Sequence, residues 1–406
     1  MIKDIIDKKR LNEELTYEEL KTIFLGYLNN EVKDYQVSSL LMAICINGMS
    51  KDEIFNLTDI FINSGYTLDF SNIEGVKVDK HSTGGIGDKT TLAIVPIVAS
   101  LGIPVIKMSG RGLGYTGGTI DKLESISGYR TDLSNEEIEE SVKKVGAVIT
   151  GQTANLVPLD KVIYALRDVT ATTSSIPLIA VSIMSKKIAA GADKILLDVK
   201  YGKGALVSSY SEAEELAKLM QEIGNKYNRE TRYVISNMDN PLGITVGNSI
   251  EVMEAVQVLR GKLDGEFNDL CKKLASIMVS MAKDISEDEA LKQVEESINS
   301  GKAYNKFLEI VKNQNGDINS VMVSDKTFEV YSDKEGIVKG IDALKIGKLS
   351  LSLGAGRVNK EDEIDHSVGI LLNKKVGDKV EKDELLMKLF IKDYNCIVDN
   401  SIFDIK

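Results

Sequence analysis

Residues 80–124 read KHSTGGIGDKTTLAIVPIVASLGIPVIKMSGRGLGYTGGTIDKLE, with one glycine-rich loop from Lys80 to Thr91 and a second from Ser109 to Thr119. Between the loops, Leu92 to Leu101 has the apolar character of a buried helix, and Ile103 to Met108 that of a short strand. Each loop is therefore expected to follow a strand, and the first to open a helix. In an open α/β sheet, ligands bind at such strand ends. Glycine lets the backbone come close to an anion, and a helix N-terminus aims free N–H groups at it. Ser82, Thr83, Thr90, Thr91, Ser109 and Thr119 can add hydroxyl donors, and Lys80, Lys89, Lys107 and Arg111 can add charge. The stretch is suited to holding a phosphate.

Two generic phosphate motifs fit poorly. Gly112-Leu-Gly-Tyr-Thr-Gly117 has the G-x-G-x-x-G spacing of dinucleotide folds, but Gly118-Thr119 follows and no clear helix begins at the third glycine. A nucleotide P-loop needs Gly-Lys-Ser/Thr, whereas Asp88 separates Gly87 from Lys89-Thr90. Plain turns do not explain two loops this rich in Gly, Ser and Thr in one stretch.

Outward from the loops, residues 1–65 predict helices. Thr16-Tyr-Glu-Glu19 has a capping-box spacing, Val37 to Asn47 carries a broad apolar face, and Ser50 opens a helix that runs to Asn63. Part of that apolar surface is expected to be an interface. From Val76 onward, strand-like runs alternate with helical ones, which predicts an α/β domain with a largely parallel sheet. After about Asp325 the chain turns to short strands and turns.

The chain has 406 residues, enough for about two or three domains. A net charge of −11 with no broad basic face argues against a nucleic-acid partner. The three cysteines, Cys45, Cys271 and Cys396, are too few and too far apart for a disulfide framework or a zinc site, and fit a reducing compartment. No apolar run resembles a signal peptide or a membrane span, so the expectation is a soluble, cytoplasmic protein.

The combination of loops is more specific than either one. Ser109-Gly-Arg-Gly-Leu-Gly-Tyr-Thr-Gly-Gly-Thr-Ile-Asp121-Lys-Leu-Glu124 resembles the signature of the thymidine and pyrimidine-nucleoside phosphorylases, and Lys80 to Gly85 resembles that family's other phosphate loop. Similar segments continue in order along the chain: Tyr164 to Thr172, Ser174 to Ile179, Ser182 to Lys187, Leu197 to Lys200, Asn240 to Gly243, Gly247 to Glu254, Leu353 to Arg357, and Lys360 to Asp365. The resemblance implies an α/β fold: a small all-helical domain (1–66, joined by about 158–189), a larger mixed, largely parallel α/β domain (67–157 and 190–325), and a C-terminal α+β domain (326–406). It also implies a homodimer. The activity implied is reversible phosphorolysis of pyrimidine nucleosides, with inorganic phosphate as co-substrate.

The same resemblance distributes the roles. Lys80, Ser82, Thr91, Ser109 and Thr119 would hold phosphate, with Lys107 and Arg111 behind them. His81, one of two histidines, would contact the nucleoside and donate to the pyrimidine O2 as the base leaves, while His366 is expected to lie exposed in a polar turn. Tyr164, Arg167, Ser182 and Lys186 would hold the base; the spacings 164/167 and 182/186 each place a pair on one helical face. His81, Arg167 and Lys186 would act in catalysis, and Leu113 would pack on base or sugar. No cofactor is required for the chemistry. Gly87, Lys89, Leu242, Thr245 and Glu254 match positions at which some family members hold a monovalent cation, so a potassium ion is admitted; Lys89 is otherwise expected to point outward. Asp198 and Lys200 are expected to pair with each other or with the phosphate loop. Two other functions stay open: a phosphoribosyltransferase of related fold, for which no acidic magnesium cluster stands beside the loops, and a non-catalytic nucleoside or phosphate sensor. Tyr201 and Leu206-Val207 depart from the family pattern and leave the choice among thymidine, deoxyuridine and uridine open.

Overall fold

The chain opens with four helices. These are α1 (Ile2–Arg10), α2 (Tyr17–Leu28), α3 (Asp34–Asn47) and α4 (Lys51–Ile62). Thr16 and Ser50 cap α2 and α4, and Glu19 and Glu53 reach back to close capping boxes. Leu20, Phe24, Leu40, Ile44, Leu57 and Phe61 are among the side chains they bury together. The computed structural model describes residues 1–406 other than 113, 116, 154, 360, 361 and 394–397, and the side chain of residue 400. Leu113 and Cys396 thus lie outside the described residues.

Glu53 also receives an ammonium. Its oxygens lie 2.8 and 2.9 Å from Lys9 Nζ, and they accept from the backbone N–H of Leu15 at 2.9 Å and of Ser50 at 2.8 Å. Both side chains of the pair are almost fully buried. Glu53→Ala should therefore lower stability by about 3–5 kcal/mol, because it strands the Lys9 charge in the core. An unchanged urea unfolding midpoint would count against this account of the pair.

The central domain alternates strand and helix: β1 (Val78–Ser82), α5 (Thr90–Ser100), β2 (Val105–Ser109), α6 (Thr119–Glu124), α7 (Asn135–Val145) and β3 (Ala147–Gly151). Next, α8 (Pro158–Asp168) and α9 (Ile176–Ala189) return to pack on α2 and α4. The chain then adds β4 (Lys194–Tyr201), α10 (Tyr210–Lys226), β5 (Glu230–Asn237), β6 (Thr245–Gly247) and four helices, α11 (Ser249–Leu259), α12 (Glu266–Lys283), α13 (Glu287–Asn299) and α14 (Lys302–Asn313). The five-stranded sheet has the order β3-β2-β1-β4-β5 and is parallel throughout. The order reverses between β1 and β4, and the first glycine loop leaves β1 at that point. A crevice forms at such a reversal.

Alternation along the strands gives the sheet two buried faces. Ile106, Met108, Ile195, Leu197 and Val199 join the core shared with α9, α10 and the N-terminal helices. Val78, Val105, Ile149 and Leu196 join α5 and the α11–α14 helices on the other face. The expectation that no helix opens near the third glycine needs correction: α6 starts at Thr119, with Gly118 in extended conformation as its N-cap.

The remaining chain forms β7 (Thr327–Tyr331), β8 (Gly336–Ile341), α15 (Ala343–Ser352), β9 (Gly369–Leu372), β10 (Lys379–Val380), β11 (Leu385–Phe390) and β12 (Phe403–Ile405). They make two antiparallel sheets, β10-β8-β12 and β6-β9-β11-β7. The second sheet takes β6 from the span before α11. Among the described residues, no helix is long and apolar enough to cross a membrane.

Candidate active site

Strand β1 sorts its side chains onto opposite faces. Lys80 and Ser82 lie in register with Leu196 and Asp198 of β4 and meet the start of α5; Asp79 and His81 face α9.

On the α5 side, Lys80 Nζ donates to Thr90 Oγ1 at 2.6 Å and lies 3.3 Å from Asp198 Oδ2. Lys200 Nζ lies 2.9 Å from the same oxygen, and Ser236 donates to the other at 2.7 Å. Ser82 Oγ donates to Asp88 at 2.5 Å, and Asp88 also accepts from Thr90 N at 3.2 Å and Oγ1 at 2.6 Å. Burial works to raise the Asp88 pKa, but Lys80, Lys200 and the hydroxyls of Ser82 and Thr90 prevail and hold it well below the usual carboxylate range. For Lys200, burial is likewise outweighed by Asp198 and Asp88, and its pKa is raised. Two lysines thus face two carboxylates.

Ser109 ends β2 on this side. Val78 and Val105 are registered partners, four residues before Ser82 and Ser109 respectively, so the two serines come to the same level of the sheet. Ser109 Oγ is buried and has no hydrogen-bond partner among the described residues. An orphaned buried hydroxyl at a strand end is what a ligand oxygen would satisfy. Thr91 is buried in the first turn of α5, and Thr119 opens α6 half-buried. Arg111 is exposed and pairs with Glu124, so it turns away from these donors. Lys107 is buried and lies 3.9 Å from Asp79. Burial, then repulsion from Lys187, depresses its pKa strongly.

On the other face, α8 brings Tyr164 and Arg167 beside Ser182 and Lys186 of α9. Lys186 Nζ lies 2.7 Å from Asp160 Oδ2 and 3.2 Å from Ser182 Oγ. The Tyr164 ring centroid lies 5.8 Å from Arg167 Cζ and 6.0 Å from Lys186 Nζ. Arg167 is 2% exposed and donates to the carbonyls of Thr172, Thr173 and Leu178 at 3.0–3.1 Å. It therefore braces the 172–178 turn, a role not visible from its spacing to Tyr164. One residue beyond Lys186, Lys187 Nζ donates to Asp79 at 2.7 Å and to Met108 O at 3.3 Å, which ties α9 to the ends of β1 and β2.

His81 stands between the two groups. Burial and then Lys187, Lys107, Lys186 and Lys80 hold its pKa well below the ordinary histidine value. The imidazole is neutral at neutral pH and offers one donor and one acceptor. His366, expected to be exposed, is half-buried, and burial depresses its pKa as well.

The three domains match known profiles. Residues 74–304 match the a/b domain of a glycosyl transferase family, residues 3–65 its helical bundle domain, and residues 337–400 the pyrimidine nucleoside phosphorylase C-terminal domain. The chain is 51% identical over 396 residues to the pyrimidine-nucleoside phosphorylase of Bacillus subtilis, covering 95% of this chain and 91% of that protein. It is 48% identical to the Geobacillus stearothermophilus protein of the same name, with the same coverage of each. This chain belongs to the pyrimidine-nucleoside phosphorylase family. A solved anthranilate phosphoribosyltransferase from Thermus thermophilus shares the fold at a TM-score of 0.61 and 19% identity, covering 77% of this chain and 99% of that one.

In this member of the pyrimidine-nucleoside phosphorylase family, the positions matched to a monovalent cation do come together, but around a side chain. Lys89 does not point outward: its side chain is fully buried, and its ammonium takes up the carbonyls of Leu242 and Thr245 and the carboxylate of Glu254. These residues do not fit a separate ion. Sequence reasoning also missed Asp79, Asp88, Asp160 and Lys187. A lone carboxylate carries no local signal that a distant lysine will reach it.

Proposed function

We propose that this chain catalyses reversible phosphorolysis of pyrimidine nucleosides, giving free base and α-(deoxy)ribose 1-phosphate. The observation that carries the reading is the division of β1. Anion-binding hydroxyls lie on the α5 side, donors for a base lie on the α9 side, and neutral His81 lies between them. Phosphate is already a nucleophile and needs only to be held. Ser109, Thr91 and Thr119 supply neutral donors, with Lys80 and Ser82 beneath them. As a phosphate oxygen bonds to C1′, the C1′–N1 bond breaks and its electron pair passes to the pyrimidine. The free N–H groups of Lys186 and Arg167 and the donor of His81 stabilise the charge that gathers on the base. Bringing the two groups onto one substrate calls for domain closure, with Gly114, Gly117 and Gly118 as flexible points. The decisive assay is uridine with saturating phosphate; uracil should appear, and its absence would refute the reading.

Ser109→Ala should weaken phosphate use by about 1.5–3 kcal/mol, the worth of one hydrogen bond to a charged group. Phosphate saturation at excess uridine measures it, and an unaltered curve would remove Ser109 from the site. The active form is a homodimer joined through the helical domain. Tyr35, Met42 and Ile46 of α3 are exposed at 67%, 40% and 75% and share one helical face. Light scattering at micromolar concentration should give twice the chain mass. Free thiols at Cys45 and Cys271 support a place in the cytoplasm.

A further inference from the structure

We infer that Lys89 is a tethered cation that makes this protein independent of any bound monovalent ion. This goes beyond the phosphorylase reading and does not depend on it. An ammonium has three N–H donors. Lys89 Nζ lies 2.8 Å from each of Leu242 O, Thr245 O and Glu254 Oε2, so three oxygens surround it, one per donor. It also lies 5.0 Å from the Phe267 ring centroid, a further cation-binding face.

The surroundings are built for a cation at this point. Glu254 is held by the backbone N–H of Ile244 and Thr245, each at 2.9 Å, and by the Thr245 hydroxyl. Gly243 has φ +76°, and a Cβ there would stand 2.4 Å from Glu254 and 3.0 Å from Lys89 Nζ. At Gly87, also φ +76°, a Cβ would stand 2.6 Å from Leu242 O. Both positions exclude a side chain so that carbonyls and carboxylate can converge. Backbone carbonyl oxygens can replace the hydration shell of a potassium ion, and carboxylates also attract cations. Here the ion's place is taken by a group the chain carries itself. The consequence is mechanical. Lys89 is the N-cap residue of α5, within the first glycine loop, and Leu242 to Thr245 lead into β6. A permanent cross-link therefore joins the first glycine loop to the sheet of the C-terminal domain, whatever the salt.

Lys89→Ser tests this, since serine is a good N-cap and opens room for an ion. Lys89→Met keeps the volume without the charge. The wild-type protein should show the same thermal midpoint in potassium chloride and choline chloride at matched ionic strength, and should bind no rubidium in equilibrium dialysis. Lys89→Ser should melt several degrees lower in choline, recover much of that in potassium, and hold one rubidium ion per chain. Lys89→Met should be lowered in both salts alike. A wild-type midpoint that rises in potassium over choline, or wild-type rubidium binding at this site, overturns the proposal. So does a folded Lys89→Ser protein that binds no rubidium and ignores potassium. If Lys89→Ser does not fold, the wild-type comparison decides. None of these readouts uses the reaction, so they stand apart from the uridine assay.

Discussion

Cytidine is expected to be turned over about 10⁴-fold less efficiently than uridine, the discrimination that buried polar pairing can supply. The groups proposed to meet the base edge, Arg167 and Lys186, can only donate. Their geometry sharpens the point. Three N–H groups of Arg167 are taken by the carbonyls of Thr172, Thr173 and Leu178, and two of Lys186 by Asp160 and Ser182. What remains free is a small set of donors at fixed places. Uracil offers carbonyl oxygens at positions 2 and 4. Cytosine offers an amino group at position 4, which sets donor against donor and leaves a cation under-satisfied. Cytosine also lacks the N3–H that Ser182 can accept. The measurement is kcat/KM for cytidine and uridine with phosphate, with deaminase excluded. Cytidine within tenfold of uridine would mean that these cations do not read position 4.

Lys80→Met should lower kcat/KM for phosphate by about 10²–10⁴-fold, the kinetic equivalent of the 3–5 kcal/mol that follows removal of one partner from a buried ion pair. Lys80 is 1% exposed and lies in a network with Lys200, Asp88 and Asp198. Without it two carboxylates face one lysine, and an excess negative charge lies beneath the place proposed for an anion. The same imbalance lowers the thermal midpoint, so the folded fraction must be measured beside the kinetics. A phosphate saturation curve like that of the unaltered protein would place phosphate elsewhere than the first loop.

Much of the fold was legible in the sequence because the signals were local. Leu92 to Leu101 is apolar apart from Ser100, and it lies in a helix, Thr90–Ser100, buried on all sides through Ala99. Thr16 with Glu19 and Ser50 with Glu53 mark helix starts through contacts within one turn. The span after Asp325 was read as short strands and turns, and Thr327–Tyr331 and Gly336–Ile341 are strands within it. Strand β6 is three residues long and has no pattern of its own; only its partner β9 makes it a strand. Helix α15 lies in a span read as strands and turns, since its apolar face is defined by a sheet far away in sequence. At the site, residue types in the two loops marked the hydroxyls and cations as candidates, and the resemblance supplied the roles proposed for them. Of their counter-charges, Asp198 was expected to meet Lys200 or the phosphate loop and meets both Lys200 and Lys80; Asp79 was not legible, because it and Lys187 are 108 positions apart and meet only after the sheet has formed. Lys89 was misread for the same reason: the oxygens that draw it inward lie more than 150 positions away.

Strand β6 has a consequence for how the molecule can be divided. A polypeptide stopped at residue 325 would keep β6 but lose β9, leaving a bare sheet edge open to pairing with other chains. A peptide starting at 326 would lack the end strand of its larger sheet. Neither piece is a self-sufficient folding unit, although the chain order invites the cut. A protease nick in the 320–326 connection should leave both fragments associated, much as a dovetail holds two boards after the glue is gone.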